Sequence, residues 1–165
     1  MDLRPITEAI GTEVRGIDVT QHVSARDLER MYEAWLDTTI LLFRGQHMTP
    51  EQQIAFTSRF GEVAAYTRPQ FRERSRPEVL VLSNIRQDGE LIGSPVSGRV
   101  WHTDGHYLEC PPAGSMLYAI QVPPVGGDTW FANLVAAHDA LPAVTRAQLE
   151  GLKVVISRVQ SRPYN

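Results

Sequence analysis

The order of apolar and polar positions along the chain sets out short strands and a few amphipathic helices. Leu3–Ile6 and Glu13–Val19 read as extended segments on either side of Gly11, which predicts an opening hairpin or meander. Ser24 stands where a helix N-cap is expected, with Asp27 three residues on. Leu28, Met31, Tyr32 and Trp35 then recur at the spacing of one buried helical face. The run Thr39-Ile40-Leu41-Leu42-Phe43 is β-branched and apolar at successive positions, the pattern of a strand covered from both sides. Thr49-Pro50-Glu51-Gln52 combines a capping threonine, a proline at the first helical position and a glutamine at the third. It predicts a second helix that Gly61 ends, with Ile54, Phe56 and Phe60 facing inward.

Glu78–Asn84 reads as a strand, and the polar, glycine-containing stretch Arg86–Gly98 as a connection too long for a tight turn, the kind of loop that often forms a lid. Ser115–Val122 and Asp128–Ala132 read as strands split by a turn at Pro123-Pro124-Val125-Gly126-Gly127. Helical patterns at Leu134–Leu141 and Ala143–Leu149 and a strand at Lys153–Val159 follow. Several strands with long connections favour a mainly antiparallel sandwich or jelly roll carrying peripheral helices. Four arginines between Arg68 and Arg76 read as a solvated basic loop, with an anion-recruiting lid as the alternative.

Composition narrows the function classes. With 165 residues, 42% of them hydrophobic, the chain suits a single domain over residues 1–165. Sixteen basic against nineteen acidic residues give a net charge of −3, so no nucleic acid and no anionic membrane is expected as partner; a small-molecule substrate is, and a homo-oligomer stays open. Apolar runs such as Ile40–Phe43 fall far short of the roughly 18 residues that span a bilayer. Met1–Glu8 shows neither a basic nor an apolar leader pattern, and a cytoplasmic location is the resulting expectation. Cys110 is the only cysteine, which excludes an internal disulfide and multi-cysteine metal sites.

His102-Thr103-Asp104 is the first constellation with chemistry in it. On an extended segment, residues i and i+2 share a face, so an imidazole and a carboxylate converge on one ion, two of the three ligands of a 2-His-1-carboxylate iron site. The bare pattern arises by chance in roughly a quarter of chains of this make-up. Its surroundings are more specific: Trp101-His102-Thr103-Asp104-Gly105, Pro111-Pro112, Val122-Pro123-Pro124 and Gly126-Gly127-Asp128-Thr129, preceded by Leu42-Phe43-Arg44-Gly45-Gln46, Thr49-Pro50-Glu51-Gln52 and Arg59-Phe60-Gly61-Glu62. Together they resemble the TauD/TfdA family of Fe(II)- and 2-oxoglutarate-dependent dioxygenases over nearly the whole chain.

The resemblance implies a mainly β fold with peripheral helices, a double-stranded β-helix (jelly roll, cupin-like) that is incomplete at its C-terminal end. It implies Fe(II), with 2-oxoglutarate and O2 as co-substrates, and hydroxylation of a small, anionic organic molecule with release of succinate and CO2. His102 and Asp104 resemble the first two metal ligands, and Thr129 the threonine that contacts a carboxylate of 2-oxoglutarate. The Gly126-Gly127 turn explains that segment on structural grounds alone as well. Tyr66, Asn84 and Trp101 are candidate substrate contacts, with packing, a strand-end turn and a core or rim aromatic as their alternative roles. The family's second iron histidine and its arginine lie further on, and neither His106 nor His138 stands in the expected setting. The chain therefore reads as the N-terminal portion of such an enzyme, inactive alone. Taurine-using members resemble one another in a histidine after the Phe-Gly-Glu segment, where this chain has Ala64-Ala65-Tyr66-Thr67-Arg68, so taurine is disfavoured. A non-catalytic cupin-like binding module and a zinc hydrolase are the alternatives, the latter without an H-E-x-x-H motif here.

Overall fold

The computed structural model describes residues 1–65, 72–73, 76–95, 98 and 100–156. The chain divides into two compact units, Met1–Trp101 with Met116–Trp130, and His102–Ser115 with the chain from Phe131 onward.

The first unit is built on a three-stranded sheet. β1 (Asp2–Pro5) pairs antiparallel with β2 (Thr12–Arg15), and β2 pairs in parallel with β3 (Leu41–Phe43). A parallel pair needs a crossover, and α1 (Ala25–Thr38) supplies it between β2 and β3. Ser24 caps α1 as the sequence predicts, its side chain accepting from the Asp27 amide. Thr49 and Gln52 form a reciprocal capping box at the start of α2 (Pro50–Thr57), with Pro50 in the first turn.

Val14, Val19, Val23, Met31 and Phe56 are the buried core, with Leu28, Leu41, Phe43 and Phe60 packed around them. Edge-to-face contacts link Phe43 to Phe56 at 5.4 Å and Phe56 to Phe60 at 5.5 Å. Gln46 ties the loop after β2 to this core: its carbonyl accepts from the Val19 amide at 2.9 Å, and its amide donates to the carbonyls of Ile17 and Arg44. Tyr118, from the Met116–Trp130 segment of the same unit, accepts from the Met48 amide and donates to the Gln46 carbonyl.

Several expectations change. Extended structure ends at Arg15, because Gly16 turns at φ +69°, and Val19 reaches the core from a loop. Thr39 is the left-handed C-cap of α1, not the first residue of a strand, and β3 is a half-buried edge strand rather than one covered from both sides. The strand expected at Glu78–Asn84 runs earlier, as β5 (Arg76–Leu80) paired with β4 (Arg72–Glu73); beyond it Leu82 only bridges Ser94.

Arg86–Gly98 contains a tight hairpin, β6 (Arg86–Gln87) and β7 (Glu90–Leu91). Asp88 at φ 51° and Gly89 at φ 84° provide the two positive dihedrals that a two-residue hairpin turn requires. Ser115–Val122, Asp128–Ala132 and the described part of Lys153–Val159 form no strands; residues 157–159 lie outside the described residues. Their β-branched and aromatic composition is strand-like, yet none has a ladder partner among the described residues, and side chains such as Ile120, Val122 and Val155 stay exposed. In the second unit, Asn133 caps α3 (Leu134–Asp139), and α4 (Ala143–Leu149) follows, as the sequence predicts. Among the described residues no helix is long and apolar enough to cross a membrane.

Candidate metal centre

His102 and Asp104 belong to the second unit and lie on a loop, not on the strand that their spacing suggested. Gly105 is the reason. Its φ of +65° is a left-handed conformation that side-chain-bearing residues rarely adopt, and a Cβ there would stand 2.6 Å from Cδ of Pro112. The chain turns over residues 104–107, closed by the Leu108 amide donating to the Gly105 carbonyl at 2.8 Å.

The two side chains converge nonetheless. His102 Nε2 lies 3.4 Å from Asp104 Oδ1, and both side chains are about half exposed. The other carboxylate oxygen, Oδ2, accepts from Ser115 Oγ at 2.9 Å. Two donors roughly 2.1 Å from one ion, on adjacent coordination positions, stand about 3 Å apart, so this spacing suits joint ligation after a small adjustment. An imidazole nitrogen with a carboxylate oxygen is also the donor chemistry of first-row divalent metals.

No third donor joins them: among the described residues no group of three or more His, Cys, Asp or Glu side chains is placed to hold an ion. All five histidines of the chain are among those residues. His106 Nδ1 hydrogen-bonds the Thr103 carbonyl, and its ring meets Tyr107 edge-on at 5.8 Å. The turn at Gly105 removes the shared strand face that would have aligned His106 with His102. His138, on α3, lies 3.2 Å from Asp139 Oδ1. His22 and His47 are exposed in the first unit, as expected.

The remaining candidates belong to the first unit or lie outside the described residues. Thr129 is exposed on the loop that follows Gly126 and Gly127, both at φ +74°, in the first unit. Asn84 is exposed between the Leu82 bridge and β6. Trp101 is 69% exposed, which excludes a core position and is compatible with a rim aromatic. Tyr66 and Arg68 lie outside the described residues. Ser115 is the contact that the sequence did not signal, because eleven residues separate it from Asp104 and no local spacing rule joins them.

Known proteins match along almost the whole chain. The family model described as "Taurine catabolism dioxygenase TauD, TfdA family" covers residues 2–163. An alpha-ketoglutarate-dependent 2,4-dichlorophenoxyacetate dioxygenase of Cupriavidus pinatubonensis is 31% identical over 96% of this chain and 58% of its own length. An (S)-phenoxypropionate/alpha-ketoglutarate dioxygenase of Sphingobium herbicidovorans is 34% identical over 92% of this chain and 52% of its own length. An alpha-ketoglutarate-dependent sulfate ester dioxygenase of Pseudomonas putida is 31% identical over 95% of this chain and 50% of its own.

Among solved structures, a taurine dioxygenase from Burkholderia xenovorans superposes with a TM-score of 0.76 at 32% identity, over 91% of this chain and 51% of that one. AAD-2, solved with Mn(II) and N-oxalylglycine, superposes with a TM-score of 0.74 at 29% identity, over 90% and 54%. The chain thus spans about half the length of the relatives it matches. With the model match running from residue 2 to residue 163, the chain belongs to the TauD/TfdA dioxygenase family.

Proposed function

We propose that this chain carries the metal-binding and co-substrate-binding loops of an Fe(II)- and 2-oxoglutarate-dependent dioxygenase with a jelly-roll fold, acting on a small organic anion. The observation that carries the reading is the convergence of His102 Nε2 and Asp104 Oδ1 at 3.4 Å within a chain of this family. The anionic substrate class rests on the relatives, whose names give phenoxyacetate, phenoxypropionate and sulfate ester substrates.

In this reading His102 and Asp104 hold the metal, and the Thr129 hydroxyl donates to a carboxylate of 2-oxoglutarate. Fe(II), when bound with 2-oxoglutarate and O2, supplies the oxidative decarboxylation to succinate and CO2 that is coupled to substrate hydroxylation. The chain's own contribution is positional. Gly105 turns the backbone so that imidazole and carboxylate meet, and the Gly126-Gly127 turn sets the register of Thr129. Asn84 and Trp101, both exposed, and Tyr66 are the residues assigned to the substrate. The third metal donor and the partner of the distal 2-oxoglutarate carboxylate are assigned, in this reading, to the part of the relatives' length that this chain does not span.

Paramagnetic NMR tests the assignment. Substoichiometric Mn(II) is expected to broaden the His102 and Asp104 signals selectively, and N-oxalylglycine added with Mn(II) to shift Thr129. Uniform broadening across exposed carboxylates, with no preference for this pair, rejects it.

A further inference from the structure

Resting on the reading of Asp104 as a metal ligand, we propose that Ser115 is a positioning residue that orients the Asp104 carboxylate for ligation. Two observations within the second unit carry this. Ser115 Oγ donates to Asp104 Oδ2 at 2.9 Å, while the opposite oxygen, Oδ1, is the one that faces His102 Nε2 at 3.4 Å. The carboxylate is thereby divided into one oxygen held by the protein and one turned toward the imidazole.

The backbone around Asp104 cannot do this alone. Asp104 opens a turn on a loop, so no strand neighbour fixes the side chain, and Asp104 itself is exposed. A carboxylate on such a turn samples several rotamers, whereas a hydrogen bond to an ionised acceptor is about twice as strong as one between neutral groups and selects one of them. The donor also comes from the far end of the same loop: eleven residues separate Ser115 from Asp104, and between them Pro112 packs at Gly105. Ser115 therefore couples the closure of the 102–115 loop to the direction in which Oδ1 points. Partners of this kind, bonded to a ligand and not to the ion, typically contribute 10- to 100-fold to metal affinity.

The test uses the 165-residue chain with and without Mn(II), comparing wild type with Ser115→Ala, Ser115→Thr and Asp104→Asn. Without metal, the Asp104 Hα–Hβ couplings are expected to report one dominant χ1 rotamer in the wild type. Averaged couplings are expected in Ser115→Ala, and restored ones in Ser115→Thr, which keeps the hydroxyl. With Mn(II), the concentration that half-broadens His102 is expected to rise about tenfold in Ser115→Ala and to return near wild type in Ser115→Thr. Couplings and broadening in Ser115→Ala equal to those of the wild type overturn the proposal, even if Asp104→Asn abolishes the broadening and so upholds the ligand assignment. Broadening unchanged in Asp104→Asn instead overturns the ligand assignment, and the role of Ser115 with it. Equal loss in Ser115→Ala and Ser115→Thr assigns Ser115 to loop packing and also overturns the proposal.

Discussion

At the scale of single residues, the candidate site depends on one backbone conformation. Gly105 adopts φ +65°, and a methyl group there meets the Pro112 ring at 2.6 Å, so an alanine carries both the left-handed penalty of about 1–2 kcal/mol and a steric conflict. Gly105→Ala is therefore expected to separate His102 from Asp104 and to weaken Mn(II)-induced broadening of both, while circular dichroism shows the helices of the first unit unchanged. The histidines divide in the same way. His102→Ala is expected to abolish selective broadening at Asp104, whereas His106→Ala leaves it within about twofold, since the three-donor cluster that would include His106 is absent among the described residues. Equal losses in the two variants would contradict the assignment. The pair was legible in the sequence because His-x-Asp needs only local geometry. Ser115 was not, because its approach to Asp104 is set by the path of an eleven-residue loop, which no periodicity records.

At the scale of elements, local chemistry decided what could be read. Both long helices begin where a capping side chain stands, at Ser24 and Thr49, because a cap satisfies amides within its own first turn and needs no partner from elsewhere. Strands need a neighbour. Thr12–Val14 has one on each side, whereas Ser115–Val122, richer in apolar residues, pairs with nothing among the described residues. The Asp88-Gly89 turn was equally local, and the polarity of the surrounding stretch masked it. One element end is strained: Thr39 holds φ 65° at the C-cap of α1, and its buried hydroxyl finds no hydrogen-bond partner among the described residues. A β-branched residue in this conformation forfeits about 1–2 kcal/mol, and glycine returns about 0.5–1 of that as greater unfolded-state entropy. Thr39→Gly is expected to stabilise the chain by about 0.5–1 kcal/mol, read as a rise in the urea midpoint. A lower midpoint would mean that the Thr39 methyl contributes packing that outweighs the strain.

At the scale of the whole molecule, acid stability and activity follow from how its charges and donors are distributed. Among the described residues, four carboxyls are held below their ordinary pKa: Asp2 by Arg4, Glu13 by Arg15 and then Arg44, Asp18 by the Thr20 hydroxyl, and Glu51 chiefly by its own helix-start amide. A carboxyl whose folded pKa is depressed lends stability that is complete above its ordinary value, here 3.8 for Asp and 4.5 for Glu, and lost as pH falls through the folded value. The melting temperature is thus expected to stay level above about pH 5 and to fall progressively below it, less steeply in Glu13→Gln. An unchanged slope in that variant would remove Glu13 from the account.

Activity is a stricter test. Two donors converge in the second unit, all five histidines are accounted for, and none supplies a third. A metal held by two protein ligands is bound weakly and without the fixed open positions that 2-oxoglutarate and O2 occupy in a facial-triad site. The 165-residue chain, supplied with Fe(II), ascorbate, 2-oxoglutarate and a panel of phenoxyacetates and alkyl sulfates, is therefore expected to release no succinate above the protein-free background. Sustained succinate release that His102→Ala abolishes would mean that a second copy, or a rearrangement of this chain, provides the missing donor. His106 and His138, which belong to the same unit as the pair, would then be the first two residues to replace.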